Sequence, residues 1–96
     1  MRIVVNHLDF EQPLSQELLD AAHEGGQRVV DAGGLAFHLV EIDETHAMLV
    51  LFFPDLETEE RVSREIGGPW MRRHVLPLLA GPTRRASGET VVSRGF

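Results

Sequence analysis

Trp70 and His74 stand four residues apart in the run Gly67-Gly68-Pro69-Trp70-Met71-Arg72-Arg73-His74. One helical turn of spacing puts an indole beside an imidazole on the same helix face. An imidazole that titrates near neutral pH can take a proton from a phenol-like substrate or ligate a metal. Asn6 is an amide in the middle of the apolar run Arg2-Ile3-Val4-Val5-Asn6-His7-Leu8. Buried there it needs hydrogen-bond partners, and it is placed to orient a substrate carbonyl or a peroxide. His38 interrupts a second apolar run and is a reserve base or donor. Each residue also has a plainer reading, in which the indole packs and the amide or imidazole is satisfied inside the core. His74, Asn6 and His38 are the catalytic candidates. Trp70, Arg73 and Phe53 are the candidates for holding a substrate.

The other histidines carry less. His7 alternates with Asn6 along an extended strand and points the opposite way. His46 falls in a turn and His23 on a helix, both toward solvent. The Gly67-Gly68-Pro69 segment reads as a helix start whose free amides, with Arg72 and Arg73 beside them, suit a carboxylate or phosphate. The plainer alternative is a kink, with the arginines paired to Glu59, Glu60 or Glu65. No metal-ligand spacing, phosphate loop, dinucleotide fingerprint or nucleophile elbow occurs. No metal is expected.

Composition narrows the chemistry further. The 96 residues contain no cysteine and no tyrosine, and all nine fixed positive charges are arginines. Thiolate, Schiff-base and tyrosine chemistry are therefore excluded, which leaves proton transfer to histidines and carboxylates. A net charge of −6 with scattered arginines lacks the basic stripe that neutralises a phosphate backbone, so nucleic acid is not an expected partner. There is no long apolar run for a membrane span and no signal-peptide pattern, and a cytoplasmic protein is expected.

The elements that must position these residues follow from periodicity. Residues 2–8 read as a strand. Pro13 opens a helix whose apolar positions Leu14, Leu18, Ala22, Gly25 and Val29 recur at steps of three or four, and Gly33-Gly34 ends it. Residues 35–42 and 47–53 form a hairpin. With Glu44-Thr45 at its tip, Ile42 faces Ala47, Val40 faces Leu49 and His38 faces Leu51. One face then carries Phe37, Leu39, Met48, Val50 and Phe52, and the other His38, Val40, Ile42, Leu49, Leu51 and Phe53. A helix over 57–66 is interrupted at Gly67-Gly68, and a second segment runs from Trp70 to Leu79. Residues 89–94 form the last strand. The order β-α-β-β-α-β is the split βαβ pattern of a ferredoxin-like α+β domain, an antiparallel sheet with two helices on one face, and it takes up residues 1–96 as a single domain. Both faces of the hairpin are apolar, yet two helices cover only one. The other face calls for a second subunit, so a homodimer through the sheet is expected.

With this element order, Asn6 on the first strand and the run from Gly67 to His74, the chain resembles the dimeric α/β-barrel proteins, in particular the antibiotic biosynthesis monooxygenase family. The resemblance implies two ferredoxin-like subunits packed sheet to sheet. It also implies oxidation of a small hydrophobic aromatic or polyketide-like substrate by O2, with no cofactor. On that reading His74 is the base, His38 its reserve, and Asn6 and Trp70 position the ring. A haem-degrading branch of the same superfamily uses an asparagine on strand one, a tryptophan and a haem-ligating histidine. Asn6 and His74 match the first and third, but the tryptophan of that branch falls nine or ten residues before the histidine, at Glu65 or Arg64 here, while Trp70 is only four before it. Haem is thus the alternative cofactor. A non-catalytic ligand-binding or dimerisation module is the alternative function.

Overall fold

The computed structural model describes residues 1–95. Four strands, β1 (Arg2–Asp9), β2 (Ala36–Glu41), β3 (His46–Phe53) and β4 (Arg84–Glu89), form one antiparallel sheet in the order β2-β3-β1-β4. Helices α1 (Gln16–Asp31), α2 (Leu56–Val62) and α3 (Gly68–His74) cover one of its faces. This is the expected ferredoxin-like α+β fold. Among the described residues no helix is long and apolar enough to cross a membrane.

Helix α1 starts later than its proline suggests. The Ser15 hydroxyl accepts the Leu18 N–H at 3.1 Å, so Ser15 is the N-cap and Pro13 lies in the lead-in. Leu18, Ala22, Gly25, Gly26 and Val29 are buried on its sheet-facing side. It ends where Gly33 takes a φ of 115°, a left-handed conformation that glycine adopts without strain. Asp55 caps α2 by accepting the Thr58 N–H at 2.8 Å, and that bond holds the Asp55 carboxyl below its ordinary pKa.

Gly67-Gly68 does not break the following helix. The backbone runs on from α2 through a π-helical turn, Ser63–Gly67, in which the Gly68 N–H reaches back to the Ser63 carbonyl, and continues directly into α3. The wider turn absorbs Pro69, which has no N–H to donate. After a short 3-10 turn, Leu76–Leu78, a bridge between Phe10 and Leu79 delivers the chain to the sheet edge.

The last strand lies at Arg84–Glu89, five residues before the expected 89–94. Its partner decides this. The β4 ladder pairs His7 with Arg84 at one end and Arg2 with Glu89 at the other, and one further bond joins the Thr90 N–H to the Met1 carbonyl. Strand β1 then ends, so Val91 and Val92, despite their β-propensity, have no strand to pair with. They are 90% and 81% exposed.

The hairpin register also differs by one residue from the expectation. Glu41 pairs with Ala47, Val40 with Met48, Leu39 with Leu49, His38 with Val50 and Phe37 with Leu51. Asp43 sets this register. Its carboxylate accepts the N–H groups of both Thr45 and His46 at 3.0 Å, while the His46 carbonyl accepts from Ile42 and Asp43. The helix-covered face therefore holds Phe37, Leu39, Leu49, Leu51 and Phe53 together with Val4, Asn6 and Leu8. The open face holds Met48, Val50 and Phe52 with Ile3, Val5, His38 and Val40. Both faces of the hairpin are apolar, as expected, although the strands contribute in a different combination.

The same turn titrates. The His46 Nδ1–H donates to Asp43 at 2.7 Å, and its Nε2 lies 3.4 Å from Asp9, which also faces Arg84 at 3.8 Å. The hydrogen bond to Asp43 raises the His46 pKa above its ordinary 6.5, and the same bond lowers that of Asp43 below 3.8. The pair's contribution is therefore complete below pH 6.5 and fades as pH rises through the folded value of His46. At the acid end it is lost as pH falls through the folded value of Asp43. An NMR titration of the His46 ring is expected to show a raised midpoint that returns to the ordinary value in Asp43→Asn. An unchanged midpoint in that variant would refute the assignment.

Candidate functional site

A cavity of about 260 Å³ lies between the covered sheet face and the helices. Its floor is built by alternate residues of the central strands, Val4 and Asn6 from β1 and Leu49, Leu51 and Phe53 from β3. Its roof is the π turn and the start of α3, with Ile66, Gly67 and Trp70. Pi-helical turns are rare and recur at functional sites, because they splay one turn of backbone and open space beside it.

Asn6 is 7% exposed. Among the described residues no hydrogen bond engages its side chain, and the amide opens on the cavity. Its nitrogen and oxygen stay reachable through the cavity, where a ligand oxygen would pair with them in place of water.

Trp70 forms the wall opposite. Its indole N–H donates to the Ala21 carbonyl at 3.0 Å, and Phe37 meets it edge-on with ring centroids 5.9 Å apart. Gly25 on α1 makes room for it, since a β-carbon there would overlap the indole ring. The close glycine pair on α1, costly for an isolated helix, thus has a packing purpose: Gly25 admits Trp70, and Gly26 admits Phe37.

Arg85 is the charged group of the cavity. It sits on β4 directly across from Asn6 and lines the same space. Its guanidinium lies 3.6 Å from Glu59, a carboxylate buried under α2 that also accepts from the Arg2 Nε–H at 2.9 Å. Glu59 therefore anchors two arginines, the nearer one structural and the other reaching over the cavity.

The structure brings together three of the six sequence-derived candidates: Asn6, Trp70 and Phe53. His74 and Arg73 line a separate cleft on the far side of Trp70, with the His74 ring 5.6 Å from the indole. His38 lies on the open sheet face, stacked edge-on against Phe52 at 5.9 Å, and borders a broad groove of about 440 Å³ at the β2 edge that it shares with His23. The sequence reading missed Arg85 and Ser63 as cavity residues, and it offered Glu59 to Arg72 and Arg73, whereas Arg2 and Arg85 hold it. A last strand at 89–94 leaves Arg85 outside the sheet, and only the true position of β4 sets it across from Asn6. Among the described residues Arg85 is the sole ionisable one lining the cavity. The space can hold an anion and orient it, but offers no side-chain base within its walls.

This architecture is shared with proteins of known structure. The chain is similar to a candidate antibiotic biosynthesis monooxygenase of Nitrosomonas europaea, with a TM-score of 0.80 and 12% identity over 96% of this chain and 100% of that one. It is similar to SnoaB, a cofactor-independent oxygenase of Streptomyces nogalater, with a TM-score of 0.78 and 10% identity over 96% and 94%. MhuD, a haem-degrader of Mycobacterium tuberculosis with two haems bound in its active site, matches with a TM-score of 0.65 and 18% identity over 99% and 100%. The fold is thus that of the antibiotic biosynthesis monooxygenase proteins. No protein-family model and no curated protein sequence matches the chain.

Proposed function

We propose that this chain is a small oxygenase that works as a sheet-to-sheet dimer and oxidises an acidic aromatic or polyketide-like substrate with O2, without a cofactor. The observation that carries the reading is the Asn6 amide, free of protein partners and opening on a largely apolar cavity that Arg85 also lines. A phenol or enol acidic enough to arrive ionised needs no base in the pocket. Arg85 holds its oxyanion, Asn6 orients the adjacent oxygen, and Phe53 and Trp70 clasp the ring. The electron-rich anion passes one electron to O2, the two radicals combine at carbon, and loss of water from the hydroperoxide leaves a new carbonyl. A CH2 group and O2 become C=O and H2O, so the substrate supplies every electron. Walls of Leu, Val and Phe exclude water from the ring during this step.

Haem fits this cavity poorly. The histidine that would ligate the iron, His74, is screened from Asn6 by the indole of Trp70.

Oxygen uptake with a tricyclic anthrone as substrate tests the reading. Asn6→Ala is expected to slow turnover roughly 100-fold, as loss of one positioned donor does, while His74→Ala leaves it within about threefold. Hemin titration is expected to give no Soret shift that depends on His74. Uptake indifferent to Asn6, or a haem band abolished by His74→Ala, would overturn the proposal.

A further inference from the structure

We propose that the cleft behind Trp70, between α1 and α3, is a binding site for a small oxyanion, a carboxylate or a phosphate. It encloses about 210 Å³ and is walled by Arg28 and Glu24 of α1 and by Arg73 and His74 of α3. Neither arginine lies within 4.0 Å of a carboxylate among the described residues, although Glu24 shares the cleft. Arg2, Arg61, Arg84 and Arg85 reach an acid; Arg64, Arg72 and Arg94 do not among the described residues, but they line neither this cleft nor the Asn6 cavity. In a chain of net charge −6, two arginines and a histidine share one concave wall with a single carboxylate, Glu24.

Each cation has a local reason to be where it is. Arg28 ends α1, and Arg73 and His74 end α3, where the helix dipole favours positive charge. That accounts for each helix end separately. Lining one cleft, Arg28 and Arg73 offer two guanidinium groups, whose planar fork suits an oxyanion. Trp70 forms the floor. Its N–H is already given to Ala21, so it offers a flat ring surface rather than a donor. The amides of Gly67 and Gly68, the anion site read from the sequence, lie inside a continuous helix. Arg73 keeps the anion chemistry but takes it to α1 instead.

Trp70 is the only tryptophan, and its emission reports on this cleft. Titration with inorganic phosphate and with benzoate, at ionic strength fixed with chloride, is expected to give a saturable change for at least one. Calorimetry on the same protein should give the same Kd. Phosphate and benzoate arms distinguish the two sources of the oxyanion. Arg28→Ala with Arg73→Ala should weaken binding at least tenfold, while Arg64→Ala, exposed and lining neither cavity, leaves it unchanged. If the double variant fails to fold by circular dichroism, Arg73→Gln alone should still weaken binding. No saturable change together with no heat, an equal response to chloride, or undiminished binding in the double variant would overturn the site.

Discussion

Glu59→Gln is expected to lower folding stability by about 3 kcal/mol, the low end for breaking a buried ion pair on one side. The Glu59 side chain is 4% exposed and faces Arg2 at 2.9 Å and Arg85 at 3.6 Å. Glutamine keeps the volume and one acceptor oxygen but removes the charge that both guanidinium groups share. Arg2, itself only 17% exposed, is then left with Glu89 at 3.9 Å as its nearest acid. For a domain of this size such a loss corresponds to a melting point lower by roughly 10–20 °C. Glu59→Leu combined with Arg2→Met should recover much of the loss, because an apolar pair of similar volume needs no desolvation. A shift of only a few degrees in Glu59→Gln would mean that the carboxylate does not anchor the β1 and β4 arginines. The proposed role of Arg85 over the cavity would weaken with it.

Val50→Asp is expected to separate the subunits. Val50 lies at the middle of the open face, across from Val5 on β1 and His38 on β2, with Phe52 and Met48 before and after it on the same side. In a lone subunit this position is half-buried, so an aspartate still reaches water and the fold survives. Between two packed sheets the carboxylate would be dry and unpaired. A penalty of about 3 kcal/mol or more for a buried unpaired charge corresponds to a weakening of more than 100-fold in the dimer Kd. Light scattering on the eluting protein reads the result directly. The unaltered chain should run at twice its 10.7 kDa and Val50→Asp at the single mass. Leu56→Asp, exposed on α2 and off the sheet, should stay dimeric. A monomeric unaltered chain, or a Val50→Asp dimer of undiminished affinity, would remove the paired-sheet architecture.

Much of the fold could be read from the residues, and the failures have physical causes. Strand β1 was legible as a short run rich in β-branched residues, and the face of α1 because its apolar residues recur at steps of three or four. The hairpin register was not, because a slip of one residue normally moves apolar side chains to the wrong face, and here both faces are apolar. The Asp43 side chain, by binding two amides, decides what hydropathy leaves open. Strand β4 misled in the opposite way. Its sequence, Arg-Arg-Ala-Ser-Gly-Glu, is polar and exposed throughout, whereas Val91 and Val92 look like strand. Pairing with β1 overrode local preference, and Arg85 could not be assigned to the cavity until that pairing was known. Asn6 was legible as an amide out of place. Trp70 and His74 were correctly placed side by side, but spacing alone does not tell which side of the indole the cavity occupies.

The π-helical turn at Ser63–Gly67 carries a geometric debt of its own. A regular helix advances about 100° per residue, so a turn holding one residue more than usual rotates everything after it by about that angle. Trp70, Met71 and His74 all lie downstream, and their compass bearing around the helix is inherited from the bulge as much as from their own positions. Excising a single residue from that turn would leave each of these side chains unaltered yet swing the indole away from Asn6. Substitution scanning, which never changes the count, would pass over this dependence entirely.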